Sequence, residues 1–180
     1  EASPSHLHRA KTMSAQKKDR WWLFPLAAMG LVIFVNLFIL VNAHVPSSSM
    51  EPTIPTGSLV LGDRTAFHRG DPQVGDVVFF RHAELGDKWL VKRVIALPGQ
   101  TFSMEHGRVY LDGCLLDEDY ITEFSTDSYP EILVPEDCYL VLGDHRTNSH
   151  DSRFWSDPFV RREDLLGRAL FVYFPRFQLL

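Results

Sequence analysis

Three short stretches hold the residues that could place a nucleophile beside a base. The first is Val45-Pro46-Ser47-Ser48-Ser49-Met50-Glu51-Pro52-Thr53-Ile54. A serine hydroxyl is a weak nucleophile until a neighbouring base takes its proton. Three consecutive serines otherwise read as a polar linker. Here Gly57–Leu61 leads straight into an apolar strand, so the serines sit against folded structure. From residue 44 onward the chain has only two lysines, Lys88 and Lys92, against eleven arginines. Arginine holds its proton too firmly to serve as a base. Lys92 stands in Leu90-Val91-Lys92-Arg93-Val94-Ile95-Ala96-Leu97. In a strand, Leu90, Lys92, Val94 and Ala96 would share one face. An amine buried there loses pKa, and a neutral lysine near pH 7 is a competent general base. The plainer alternative is a lysine whose stem packs while its head reaches water. The third stretch is Gly143-Asp144-His145-Arg146-Thr147-Asn148-Ser149-His150-Asp151-Ser152-Arg153. It reads as a solvated loop with local ion pairs, or as the source of His145 or His150 for a Ser-His-Asp arrangement.

The elements that must position these residues follow from composition. The chain has 180 residues, 45% of them hydrophobic, and a formal charge of −5. That apolar content argues against disorder. Residues 1–20 hold five Lys/Arg and two Asp/Glu; residues 21–43 hold none of either. Residues 44–180 hold 13 basic and 21 acidic side chains. So acidic a body argues against nucleic acid as a partner. Trp21 to Ala43 reads as a transmembrane helix, since about 20 apolar residues cross the hydrocarbon core. Pro25 falls in its first turn, where a missing N–H costs little. Trp21 and Trp22 suit the interface, and Lys17, Lys18 and Arg20 place the N-terminus in the cytoplasm. A cleaved secretory signal ending at Val41-Asn42-Ala43 is the alternative, but the run exceeds the roughly 7–15 residues of a signal core. Expected, then, are a cytoplasmic basic arm (1–20), one transmembrane helix (21–43) and a domain outside the cytoplasm (44–180). Residues 1–12 precede Met13, a natural start, and are set aside.

The body reads as mainly β, with short runs of Val, Phe, Tyr and Leu punctuated by Gly, Pro and Asp. Strands are expected at Ser58–Leu61, Asp76–Arg81, Trp89–Leu97, Arg108–Leu111, Tyr139–Leu142 and Leu170–Phe174, and a helical turn at Arg161–Leu166. Asp112-Gly113 marks a hairpin turn. Such spacing suggests antiparallel sheets in a partly open, barrel-like domain. Cys114 and Cys138 form either a disulfide or two separate thiols. No paired Cys or His spacing suggests a metal.

The three stretches, in this order, resemble the type I signal peptidases of bacteria, the membrane-bound Ser-Lys proteases of family S26. Pro46-Ser47-Ser48-Ser49-Met50-Glu51-Pro52-Thr53 is similar to the nucleophile box P-S-x-S-M-x-P-T. Gly75-Asp76-Val77-Val78-Phe79 is similar to the strand box and Lys92–Gly99 to the lysine box. Gly143–Arg153 is similar to G-D-N-R-x-x-S-x-D-S-R, with His145 in place of the usual Asn. The resemblance implies Ser49 as nucleophile and Lys92 as general base. It implies an oxyanion hole from the Ser47 hydroxyl and the Ser49 backbone N–H, and Ser149 as the hydroxyl orienting the lysine. Asp144, Arg146, Asp151, Arg153 and Arg93 become structural ion-pair residues, and Met50 a lining of the substrate cleft. It further implies a small cap at about residues 100–137, no cofactor, and a place in the bacterial cytoplasmic (inner) membrane with the catalytic domain on its outer face. The implied partners are the lipid bilayer and preprotein signal peptides with Ala-x-Ala cleavage sites. Three other readings stay open. They are a maturation peptidase for pilin or conjugation precursors, a Ser-His-Asp hydrolase, and a non-catalytic membrane-tethered binding or assembly domain.

Overall fold

The computed structural model describes residues 20–86 and 88–180, so most of the basic arm lies outside the described residues. The chain divides into two units, one up to Ile33 and one from Phe34 to Leu180. The first begins with a turn at Trp21–Trp22, where Leu23 N–H donates to Arg20 O at 3.0 Å. It then enters helix α1, Leu23–Phe38, which runs on into the second unit. The helix carries no charged residue and buries none of its side chains.

The structure shortens the helix expected at residues 21–43. The helix has 16 residues, about 24 Å at 1.5 Å per residue. Among the described residues no helix is long and apolar enough to cross a membrane. The rest of the apolar run is strand β1, Leu40–Val45, paired antiparallel with β2, Ser58–Asp63, over six positions. Val41 and Val45 are buried while Asn42 and His44 are exposed, the period-two alternation of a half-buried strand. A cut after Ala43 would strip Val41 from the core, which argues against the cleaved-signal reading.

Strand β1 is the edge of an eight-stranded sheet in the order β1-β2-β11-β3-β4-β9-β10, with β12 on β11. Here β3 is Val77–Phe80, β4 Leu90–Ala96, β9 Cys138–Leu142, β10 Phe159–Arg161, β11 Leu165–Phe174 and β12 Gln178–Leu179. Its pairings are antiparallel, and β1 and β10 stand at opposite ends of the order, so the sheet does not close on itself. Apolar clusters cover both faces, which explains the uninterrupted burial of Val77–Phe80. The helical turn near 161 is a 3-10 turn at Arg162–Asp164.

The cap is a four-stranded sheet in the order β7-β6-β5-β8. Its strands are β5, Thr101–Glu105, β6, Arg108–Leu111, β7, Cys114–Leu115, and β8, Tyr129–Leu133. The β6–β7 turn is Asp112-Gly113 as expected, both at positive φ, which matches the right-handed twist of the strands it joins. Phe102, Met104 and Val109 of the cap pack with Ile95, Leu140 and Leu142 of the large sheet. Cys114 and Cys138 are both free thiols.

Candidate active site

Ser49 lies in the loop that leaves β1. Pro46 ends the strand, Glu51 N–H closes a turn onto Ser48 O at 3.0 Å, and Ile54 N–H bonds Met50 O at 2.7 Å. Met50 was expected along the cleft. It is instead fully buried with Ile54, Val41 and Val60, and pins the loop to the core from below.

Lys92 occupies the middle of β4, opposite Val78 of β3. Its face carries Leu90 and Val94, which join the cluster of Val78, Phe80 and Tyr139. A register shift between Val94 and Ala96 then sends Ala96 into the cap-side cluster, away from the face expected for it. Lys92 is 4% exposed. Its Nζ meets Ser49 Oγ at 2.5 Å. Burial pulls the amine down to about 8; Asp151 and Asp144 oppose the shift and Arg153 assists it. A largely apolar strand face has thus produced an amine that gives up its proton near neutral pH.

The other expected residues gather around this pair. Ser47 Oγ is 3.4 Å from Ser49 Oγ. Ser149 lines the same cleft of about 720 Å³ as Ser49, Lys92 and Leu90. Its hydroxyl lies close enough to Asp151 to help keep that carboxylate ionised, yet it is buried without a hydrogen bond of ordinary geometry. The expected bond from Ser149 to Lys92 is therefore not made. His145 reaches the Ser48 carbonyl, and His150 stacks on Phe154 with ring centroids 6.0 Å apart. Neither histidine bonds Ser49 Oγ, which removes the support for a Ser-His-Asp arrangement.

Buried ion pairs brace the site. Arg93 grips Asp144 through Nε–Oδ1 at 2.9 Å and Nη2–Oδ2 at 2.6 Å, and donates to Gly75 O at 2.8 Å. Arg153 grips Asp151 at 2.8 and 2.9 Å and donates to the carbonyls of Arg146 and Ser149. Burial raises the Asp151 pKa, but the Arg153 hydrogen bonds and charge, with the Gly143 N–H, outweigh it and hold the carboxyl below its ordinary value.

The sequence reading missed the residues that complete these pairs from the cap segment. Glu118 takes two bonds from the fully buried Arg146, at 2.5 and 3.1 Å. Tyr120 lies 3.9 Å under the Arg93 guanidinium and donates to Glu118 at 2.8 Å. Asp127 accepts from Arg153 at 2.9 Å. The acidic run Asp117-Glu118-Asp119, lying ahead of an arginine-rich loop, was the available signal. Removing one partner of a buried pair strands the other charge, at about 3–5 kcal/mol. Glu118→Gln is expected to destabilise the protein on that scale in urea unfolding, with Glu163→Gln, exposed beside Arg161, nearly neutral.

A family model described as "Signal peptidase, peptidase S26" matches residues 18–174. The chain belongs to that family. "Probable signal peptidase I-1" of Synechocystis sp. is 37% identical over 157 residues, covering 83% of this chain and 79% of its own. "Probable signal peptidase I-2" of the same organism is 38% identical over 155 residues, covering 83% and 70%. A more distant relative, 28% identical over 168 residues, is "Inactive signal peptidase IA" of Staphylococcus aureus, covering 89% and 94%. A solved signal peptidase I from Enterococcus faecalis V583 is 30% identical, covers 54% of this chain and 96% of its own, and has a TM-score of 0.48.

Proposed function

We propose that this protein is a membrane-anchored serine endopeptidase that removes N-terminal signal peptides from exported preproteins through a Ser49–Lys92 dyad. The observation that carries the proposal is the 2.5 Å approach of a buried Lys92 amine to Ser49 Oγ. Neutral Lys92 takes the Ser49 proton as Oγ bonds to the carbonyl carbon before the scissile bond. The Ser49 N–H and the Ser47 hydroxyl hold the resulting oxyanion; one such donor is worth about 10²–10³ in rate. Lys92 returns the proton to the leaving amine as the C–N bond breaks. It then deprotonates a water that attacks the acyl ester and frees Ser49. The unpaired edge of β1 offers backbone groups to an extended substrate. Small residues, typically Ala one and three positions before the cut, fit this reading.

In this reading α1, free of charged side chains and preceded by Trp21, Trp22 and a basic arm, anchors the enzyme in the bacterial cytoplasmic (inner) membrane. The arm stays in the cytoplasm and the peptidase domain stands on the outer face. The test is cleavage of a preprotein by Ser49→Ala. We expect complete loss of cleavage by a protein that still folds, its thermal midpoint lowered by no more than a few degrees through the lost Lys92 hydrogen bond. Cleavage at the wild-type rate would overturn the proposal, and so would a wild-type protein that binds preproteins without cutting them.

A further inference from the structure

His145 departs from the pattern of its stretch, and its contacts give it a defined task. Its Nδ1 lies 3.2 Å from the Ser48 carbonyl oxygen. A carbonyl only accepts, so Nδ1 carries the proton and donates. The backbone N–H of the same residue donates to the Ser49 carbonyl at 3.1 Å. One residue therefore grips the peptides on both sides of the nucleophile.

The first of these peptides matters most. The Ser48 C=O and the Ser49 N–H belong to one planar trans unit and point in opposite directions. Fixing the carbonyl fixes the direction of the N–H. That N–H has no acceptor among the described residues and is the backbone donor of the oxyanion hole in the reading above. The turn bond from Glu51 N–H also reaches Ser48 O, but it closes within the loop. It holds the turn's shape without tying the turn to the rest of the domain. The two bonds from His145 tie these two carbonyls to the rest of the domain, across 97 residues of sequence for the side-chain bond. The buried Met50 side chain and the Asn148 Nδ2 bond to Ser48 Oγ hold the loop as well, but neither reaches a carbonyl of the nucleophile's peptides.

We propose that His145 is a positioning residue: its imidazole N–H holds the Ser48–Ser49 peptide so that the Ser49 N–H points at the developing oxyanion. The inference rests on the Ser49–Lys92 reading. Misplacing a reacting group by about 1 Å costs about 10²-fold in rate. His145→Phe keeps a ring and loses the donor, and the backbone N–H remains. We expect kcat to fall about 10- to 100-fold with KM nearly unchanged. His145→Asn, which restores a side-chain N–H donor, should recover most of the loss.

The readout that separates alignment from mere folding uses two ligands. A peptide aldehyde adds to Ser49 and places its oxygen in the oxyanion hole. Its inhibition constant should rise in His145→Phe by the factor lost in kcat/KM. Binding of the cleaved peptide product, which forms no oxyanion, should stay as in wild type. Should phenylalanine prevent folding, His145→Ala is read the same way. Ser49→Ala serves as the control. If it is inactive while His145→Phe keeps wild-type kcat and aldehyde affinity, this inference falls and the dyad stands. If Ser49→Ala still cleaves, the dyad falls and takes this inference with it. Equal weakening of aldehyde and product would also overturn the positioning role.

Discussion

Replacing Lys92 by methionine is expected to yield a protein that is inactive yet more stable at pH 7. Methionine keeps an unbranched apolar stem out to Cε, with sulfur in place of Cδ, and lacks the terminal amine. The lost general base should lower cleavage by about 10²–10⁴-fold. The stability gain follows from the same burial that prepares the amine. In the folded protein it titrates at about 8, against 10.5 for an ordinary lysine. Between those pH values the unfolded chain binds more protons, so wild-type stability rises with pH across that window. Below it the penalty is fully present, about 3 kcal/mol at 1.36 kcal/mol per unit. Methionine removes the penalty and gives up a hydrogen bond to Ser49 worth about 1 kcal/mol. Urea unfolding should show a gain of about 2 kcal/mol at pH 7 that is gone near pH 10.5. In the wild type, kcat/KM should climb with an apparent pKa near 8. A limb near 10.5, or a methionine variant that still cleaves, would sink the neutral-lysine reading.

Gly143→Ala is the second large effect expected. A Cβ on Gly143 would lie 2.6 Å from Ser149 Cβ, and closer still to Ser149 Oγ and the Ser49 carbonyl oxygen. Backbone carries Ser49 O, and the Arg153–Asp151 pair holds the Ser149 loop, so neither neighbour yields cheaply. The added methyl should cost about 1–3 kcal/mol as overpacking. The displaced Ser49 should lower kcat by about 10²-fold. Gly70→Ala is the control, because a Cβ there meets nothing within 4 Å. Wild-type cleavage by Gly143→Ala would show that the loop has slack that the packing denies.

Some of this was readable in the sequence and some was not. Lys92 stood out because the body has only two lysines against eleven arginines, and one of them falls on an otherwise apolar strand face. Asp112-Gly113 announced its hairpin through backbone conformations that few other residue pairs tolerate. The segment before Ser49 misled for a physical reason. A buried strand and a membrane helix both demand apolar residues, and β1 follows α1 with only Ile39 between them, so one uninterrupted run concealed two elements. The placements of Ser149 and Met50 depend on side-chain directions that a motif does not encode. The acidic run at Glu118 hinted at ion pairing but not at which arginine, because Arg146 lies 28 residues further along the chain and ion pairing leaves no periodic trace.

In the Ser49–Lys92 reading, the distances along the chain between partners bear on when the site becomes active. Ser49 and Lys92 are 43 residues apart, and Arg93 and Asp144 are 51. Non-local contacts of this kind form late, after many loops have closed. Until then Lys92 is an ordinary solvated lysine, protonated at neutral pH and useless as a base. A nascent or partly unfolded chain exposes its serine harmlessly. In the Ser49–Lys92 reading, proteolytic competence is thus gated by completion of the fold itself.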